Sequence, residues 1–173
     1  MSGSSPAEPP LRQLDPAHLG DHLDRLYRAA VGLSGSHADA EDLVQETYVQ
    51  VLRKPRLLRS EDDLGYLLRV LRNTFYSRYR AEARRPRAAD LGEHEELPEQ
   101  RPGTAPDAIA EANEVLAAVA ELPETYREVV AAVDLAGLSY KEAARALGTR
   151  EGTIMSRLHR GRGQVAERLG YPA

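Results

Sequence analysis

Leu19, Leu23, Leu26 and Ala30 recur at the three- and four-residue spacing of a helical stripe, behind an Asp15-Pro16 pair suited to an N-cap and first turn. The stripe breaks over Gly32 to Gly35. Ser36 and Asp39 then resemble a capping box, with Asp in place of the preferred Glu, ahead of Leu43, Val44, Thr47, Tyr48, Val51 and Leu52. Pro55 ends this second helix. After a polar loop from Arg56 to Asp63, the spacing predicts a third helix from about Leu64 to Ala83, with Leu64, Leu67, Leu68, Leu71 and Phe75 on one face. Three amphipathic helices can bury one shared core.

Residues 88 to 113 lack this periodicity. They are poor in large apolar side chains and carry Pro98, Pro102, Pro106, Gly92 and Gly103, the composition of a linker. Beyond it, a helix is predicted near Ala108 to Ala120, and Leu122-Pro123 opens another that stops at Gly137. Ser139 and Glu142 form a capping box ahead of Ala143, Ala144 and Leu147. Gly148 halts that short helix, and Thr149 is placed to cap a last one carrying Ile154, Leu158 and Val165 inward. No β alternation of useful length, hairpin signal or internal repeat is present. The expected fold is all-α: a disordered N-terminus over 1–14, a helical domain over 15–87, a flexible acidic linker over 88–107 and a second helical domain over 108–173.

Ala144, Gly148 and Ile154 stand at the spacing of a helix-turn-helix over roughly Tyr140 to His159. A small residue lets the helices approach, a glycine permits the tight turn, and an isoleucine anchors the second helix on the core. An unrelated helical hairpin can match this spacing.

Composition narrows the choice of function. Hydrophobic residues make up 42% of 173 and charged residues 29%, and no apolar run is long enough to cross a bilayer. Met1 to Pro10 is Ser/Pro-rich without the apolar stretch of a secretory signal, so export is not expected and the cytoplasm is. Cysteine is absent, which excludes disulfides, thiolate metal sites and thiol redox switching in this chain. Phosphate loops, nucleophile elbows and HExxH runs are missing, and no cofactor or catalytic role is expected. His18 and His22 are four apart, but no third ligand accompanies them, and surface histidines are the expected reading.

The net charge of −4 speaks against nucleic acid until its distribution is seen. From Arg69 to Arg87, seven arginines stand against one glutamate, a local balance of +6; from Ala88 to Asn113 the balance is −6. On the third helix, Arg69, Arg72, Asn73, Tyr76 and Arg80 project opposite the apolar stripe. Arginine neutralises phosphate, asparagine can read a base edge, and tyrosine offers a stacking surface, the combination that single-strand recognition uses. An ordinary solvated Arg-rich face is the alternative. On the second helix, Asp39, Asp42, Glu46 and Gln50 form an acidic stripe that would repel DNA and suit a protein partner, although a helix dipole also favours acids in a first turn. The last helix would present Thr153, Ser156, Arg157, His159 and Arg160 to a major groove, with Arg150 and Arg162 placed for phosphates. Gly152, Gly161 and Gly163 lie inside that helix at about 1 kcal/mol each relative to alanine. Gly152 and Gly163 face the groove side, where they would permit close DNA approach; fraying of the last turns is the alternative.

The stretch Asp39-Ala-Glu-Asp-Leu-Val-Gln-Glu-Thr-Tyr48 resembles region 2 of sigma-70-type factors. Leu122-Pro-Glu-Thr-Tyr-Arg-Glu-Val-Val130, Gly137-Leu-Ser-Tyr-Lys-Glu-Ala-Ala144 and Gly152-Thr-Ile-Met-Ser-Arg-Leu-His-Arg160 resemble region 4. The layout, without room for regions 1.1 and 3, is similar to that of extracytoplasmic-function sigma factors. The resemblance implies that Asp39, Asp42, Gln45 and Glu46 dock the clamp helices of the largest subunit of core RNA polymerase. It implies that Arg56 and Arg59 of the loop, with Arg69, Arg72, Asn73, Tyr76 and Arg80, melt the −10 element and hold a flipped base, while the last helix reads the −35 duplex. Further implied partners are the polymerase flap region and an anti-sigma factor, without membrane insertion. Tyr66 stands where the family commonly has Trp, Ser77 where it has Asp, Met155 where it has a basic residue and Gly161 near a common Ala. The competing functions are a stand-alone helix-turn-helix regulator and a helical adaptor that binds proteins alone.

Overall fold

The Asp15 carboxylate accepts a hydrogen bond from the Ala17 amide, and with Pro16 behind it a 3₁₀ turn over Pro16–His22 runs directly into helix α1, Leu23–Ser34. The structure is a computed structural model that describes residues 11–58, 62–84 and 106–171. The change from 3₁₀ to α winding shifts the register, so Leu19 and Leu26 are buried while Leu23 turns outward. α1 passes straight through Gly32 and stops at Gly35, whose φ of 73° lies in the left-handed region. Gly32 serves packing instead of termination, since an added Cβ would run into Leu135 Cδ1.

Helix α2, His37–Arg53, begins at Ser36, whose hydroxyl accepts from the Asp39 amide. Its core side is formed by Ala40, Leu43, Val44, Thr47 and Val51; Leu52 is 51% exposed, one step of 100° past the buried stripe. Thr47 is fully buried because its hydroxyl donates to the Leu43 carbonyl at 2.7 Å. A two-residue strand β1, Arg12–Gln13, pairs antiparallel with β2, Leu57–Leu58, Arg12 opposite Leu58. Two residues are too few for any alternation to announce them in the sequence. Arg12 also pairs with Asp63, the first residue of α3, Asp63–Arg84.

The second group comprises α4, Pro106–Ala120, α5, Glu124–Val130, α6, Tyr140–Leu147, and α7, Glu151–Arg168. α5 continues into one π-helical turn over Ala131–Leu135 before Gly137, φ 72°, reverses the chain. The residue before α7 is Arg150, with no side-chain cap, so Thr149 does not fill the capping role expected of it. The linker expected over 88–107 falls outside the described residues up to Pro106, where α4 starts.

Leu26, Leu33, Leu43, Leu67 and Leu71 fill the N-terminal group, and Val119, Leu122, Val129, Ile154 and Leu158 the C-terminal one. Full burial stabilises by about 1.5–3 kcal/mol per large apolar side chain. The two groups are packed on each other, α1 against α4 and the π turn and α3 against α6, and the buried apolar residues form a continuous cluster. Arginines seal this boundary at helix C-termini. Arg25 donates to the carbonyls of Ala136 (2.6 Å) and Gly137 (2.7 Å), Arg28 to Leu135 (3.2 Å), and Arg127 to Leu33 at the end of α1 (3.1 Å). Those carbonyls have no intrahelical partner and carry the negative end of the helix dipole, so a guanidinium satisfies both needs.

Candidate nucleic-acid interface

Three surfaces carry the residues singled out from the sequence. On α2, Asp39, Asp42 and Gln45 are exposed, while Glu46 is half-buried, accepts from Gln50 Nε2 at 3.2 Å and lies 3.6 Å from Arg78 Nε. Asp39 belongs to the first turn, where the dipole alone accounts for it. Asp42, Gln45 and Glu46 lie past that turn and need another reason.

Between α2 and α3 lies a cavity of about 430 Å³ lined by Gln50, Arg53, Lys54, Arg56, Tyr66, Arg69, Val70 and Asn73. It brings Arg56, Arg69 and Asn73 together as the sequence suggested. Arg53, Lys54 and Tyr66 were missed, because they come from the end of α2 and from a different turn of α3. The cluster Arg53-Lys54 just before the helix-ending Pro55 was the available signal. Four cations, two amides and an aromatic ring around one concavity suit an unstacked base with its phosphate. Arg59 lies outside the described residues. Arg80 is exposed further along α3.

Two members of that face are engaged within the protein itself. Tyr76 is 8% exposed, and burial pushes its phenol pKa well up. Its ring lies edge-on to Phe75 at 5.1 Å between centroids, with the Arg72 guanidinium 5.5 Å from its centre. Arg72 itself donates to Glu128 Oε2 of α5 at 2.5 Å. The projection that put Tyr76 and Arg72 on the free side of α3 treated that helix as covered on one side alone. α5 covers a second flank, with Arg127 set over the Phe75 ring at 5.8 Å. The exposed aromatic of α3 is Tyr79, at 64%.

In the C-terminal group the Ser139–Glu142 capping box is complete: the Ser139 amide donates to Glu142 Oε2 at 2.7 Å and the Glu142 amide to Ser139 Oγ at 3.3 Å. Hydrogen bonds from Ser139 hold the Glu142 carboxyl below its ordinary pKa. Gly148, φ 65°, makes the turn, and Ala144 and Ile154 are buried at the helix crossing. α7 leaves Arg150, Ser156, His159 and Arg160 exposed and Thr153 partly so. Arg157 Nη1 sits 3.7 Å from Glu128 Oε1, and Arg162 is held by both oxygens of Asp134, at 3.1 and 2.6 Å. A Cβ added at Gly152 or Gly163 would meet open space. Gly161 differs, being packed on α5.

His18 bonds to Asp21 at 3.0 Å. Among the described residues no group of three or more potential metal ligands occurs, and no helix is long and apolar enough to cross a membrane.

Comparison with known proteins matches residues 19–85 to Sigma-70 region 2 and residues 112–170 to Sigma-70, region 4. The chain is 36% identical over 152 residues to the ECF RNA polymerase sigma factor SigE of Mycolicibacterium smegmatis, covering 86% of this chain and 58% of that protein. It is 36% identical to EcfG of Rhodopseudomonas palustris (81% and 76% covered) and 30% identical to SigL of Mycobacterium tuberculosis (92% and 89% covered). Among solved structures, the sigma factor RpoE of Bartonella quintana, in complex with the anti-sigma factor NepR, aligns with a TM-score of 0.67 at 26% identity over 91% of this chain and 97% of that one. CnrH, in complex with the cytosolic domain of CnrY, shares the fold with a TM-score of 0.57 at 22% identity.

Proposed function

Because the chain belongs to the extracytoplasmic-function branch of the sigma-70 family, we propose that it binds core RNA polymerase and directs promoter-specific initiation of transcription. The observation that carries this reading is the cationic, aromatic-lined cavity between α2 and α3 beside an acidic α2 surface, in a chain that also holds a helix-turn-helix. The acidic side, Asp39, Asp42, Gln45 and Glu46, docks the clamp helices of the largest polymerase subunit. Its charge repels DNA and so leaves the neighbouring cationic cavity to meet the promoter.

The cavity receives a base extruded from the −10 element. Arg56, Arg59, Arg69 and Arg80 neutralise the strand, Asn73 reads a base edge, and Tyr66 supplies a wall. Arg72 and Tyr76 join this face once α5 moves away. α7 enters the major groove of the −35 duplex with Thr153, Ser156, Arg157, His159 and Arg160, while Arg150 and Arg162 anchor phosphates; a good bidentate base contact discriminates by about 1–3 kcal/mol. The C-terminal group, 108–173, meets the polymerase flap, and the 88–107 segment spans from it to the 15–87 group. No bond-making chemistry falls to this chain: it positions DNA for the polymerase, in the cytoplasm, and an anti-sigma factor is its natural antagonist, as NepR is found with RpoE.

Run-off transcription with purified core enzyme on genomic promoter fragments tests the proposal. A sigma factor confers initiation by itself, a stand-alone regulator needs another sigma, and an adaptor protein binds no promoter. Absence of initiation together with absence of core binding refutes it.

A further inference from the structure

Of the four cations around the α2–α3 cavity, Arg56 has the least to hold it. Arg53 and Arg69 stand on helices and Lys54 caps the end of α2, whereas Arg56 follows Pro55 and directly precedes the two-residue strand β2. Core packing does little for that strand, since Leu57 is 59% exposed and Leu58 is partly so. Its backbone is held by β1, with Arg12 opposite Leu58 and Gln13 opposite Leu57. A ladder this short is marginal by itself.

Arg12 supplies the reinforcement. While its backbone faces Leu58, its side chain donates to Oδ1 of Asp63, the first residue of α3 and 51 positions away in sequence. The two side chains are 33% and 16% exposed, so the pair is shielded from the water and salt that weaken surface ion pairs. The helix dipole accounts for an acid in the first turn of α3, but not for an arginine brought to it from ahead of the first helix. Arg12 is anchored in turn. Leu14 packs on the core, Leu19 is buried, and Tyr48 of α2 donates its hydroxyl to the Leu19 carbonyl at 2.9 Å. A staple therefore runs from α2 through β1 and β2 to the start of α3, and Arg56 adjoins it.

We propose that Arg12 is a positioning residue for promoter recognition: through the β1–β2 pairing and its ion pair with Asp63 it fixes Arg56 at the wall of the cavity, where the single strand passes. This rests on the −10 role proposed for that cavity. A cation on an irregular segment contributes to binding only as far as its backbone is held in place.

The test follows binding of a fluorescein-labelled oligothymidine to the full chain by anisotropy over a range of salt concentrations. Arg56→Ala is expected to weaken binding and to flatten the slope of log affinity against log salt by about 0.7, the contribution of one phosphate contact on a single strand. Arg12→Ala is expected to act in the same direction by about three- to tenfold, and by no more than Arg56→Ala, since a positioning residue cannot cost more than the group it positions. Arg12→Lys, which can still meet Asp63, is expected to retain the parent affinity. Asp63→Asn separates positioning from direct contact by sign. It keeps the charge of Arg12 and removes an acid near the strand, so a direct contact by Arg12 predicts tighter binding, and the positioning role predicts weaker binding. In the Arg56→Ala background, Arg12→Ala is expected to have no further effect, because its action passes through Arg56. Association with core polymerase and with −35 duplex is expected to be unchanged in all of these, which a general loss of stability would not allow.

Tighter or unchanged binding by Asp63→Asn overturns the proposal, as does an Arg12→Ala effect of the same size with and without Arg56. Should Asp63→Asn fail to fold, the Arg12–Arg56 comparison decides alone. Equal binding by the parent chain and Arg56→Ala refutes the −10 role of the cavity and the proposal together, whereas a loss with Arg56→Ala and none with Arg12→Ala refutes the proposal and leaves that role standing.

Discussion

Gly161 and Gly163 lie two residues apart in α7, and the same substitution is expected to act on them with opposite sign. Replacing a mid-helix glycine by alanine stabilises by about 0.5–1 kcal/mol through lost backbone freedom in the unfolded chain. At Gly163 nothing lies within 4 Å of the added Cβ, so Gly163→Ala is expected to gain most of that amount. At Gly161 the Cβ would stand 2.8 Å from Val130 Cγ2 and 3.4 Å from Tyr126 Cβ, with the Tyr126 carbonyl at 3.7 Å behind them. Val130 is β-branched and buried, so its methyl has little room to rotate away, and α5 and α7 must separate. Overpacking of this kind costs about 1–3 kcal/mol, which exceeds the propensity gain and leaves Gly161→Ala destabilised by about 1 kcal/mol. Urea denaturation of the full chain followed by circular dichroism reads both, and Val130→Ala in the Gly161→Ala background should recover part of the loss. Equal stabilisation by the two alanines would refute the packing account of Gly161. Duplex affinity of Gly163→Ala carries a second answer, since tighter binding than the parent rejects close DNA approach as the reason for that glycine.

Asp42→Arg is expected to abolish association with core polymerase in a pull-down while leaving the thermal midpoint within a degree or two, as its carboxylate is exposed; normal affinity would refute the docking surface. Ile154→Ala removes a fully buried anchor of the helix-turn-helix and should cost about 2–5 kcal/mol in urea, with −35 duplex binding lost in step. Glu142 has a folded pKa lowered chiefly by hydrogen bonds from Ser139, so its contribution is present above the usual carboxylate range and is lost as pH falls through the lowered folded value. The stability gap between the parent chain and Glu142→Gln should therefore be constant at neutral pH and close as the pH falls below the usual carboxylate range, and a gap in urea midpoints that persists in acid would refute the capping box as its source.

Much of α2, α3, α6 and α7 was legible because each carries its signal within a few residues. Ser36, Ser139 with Glu142, and Gly148 act through hydrogen bonds and backbone angles three or four positions away, and the apolar spacing of Leu64, Leu67, Leu68 and Leu71 marks one helical side. The errors at Gly32 and Tyr76 have a common cause in distance along the chain, and the one at Leu23 is local. Leu23 turned outward because a 3₁₀ turn preceded it, Gly32 looked like a terminator while serving Leu135 more than a hundred residues later, and Tyr76 looked free until α5 covered it. Of the cavity lining, Arg69 and Asn73 were visible on the charged α3 face and Arg56 in the loop, whereas Gln50, Arg53 and Lys54 arrive from the end of α2.

By itself, then, the sequence determined the all-helical class, most helix ends, the helix-turn-helix and the separation of acidic from basic surfaces, since each depends on local periodicity or on charge that no packing can move along the chain. Tertiary structure alone decided which cations are engaged. Whether Arg69, Arg72, Arg157 and Arg162 face water, a helix end or a buried carboxylate depends on residues 28 to 77 positions away, and no short-range pattern encodes a partner at that separation.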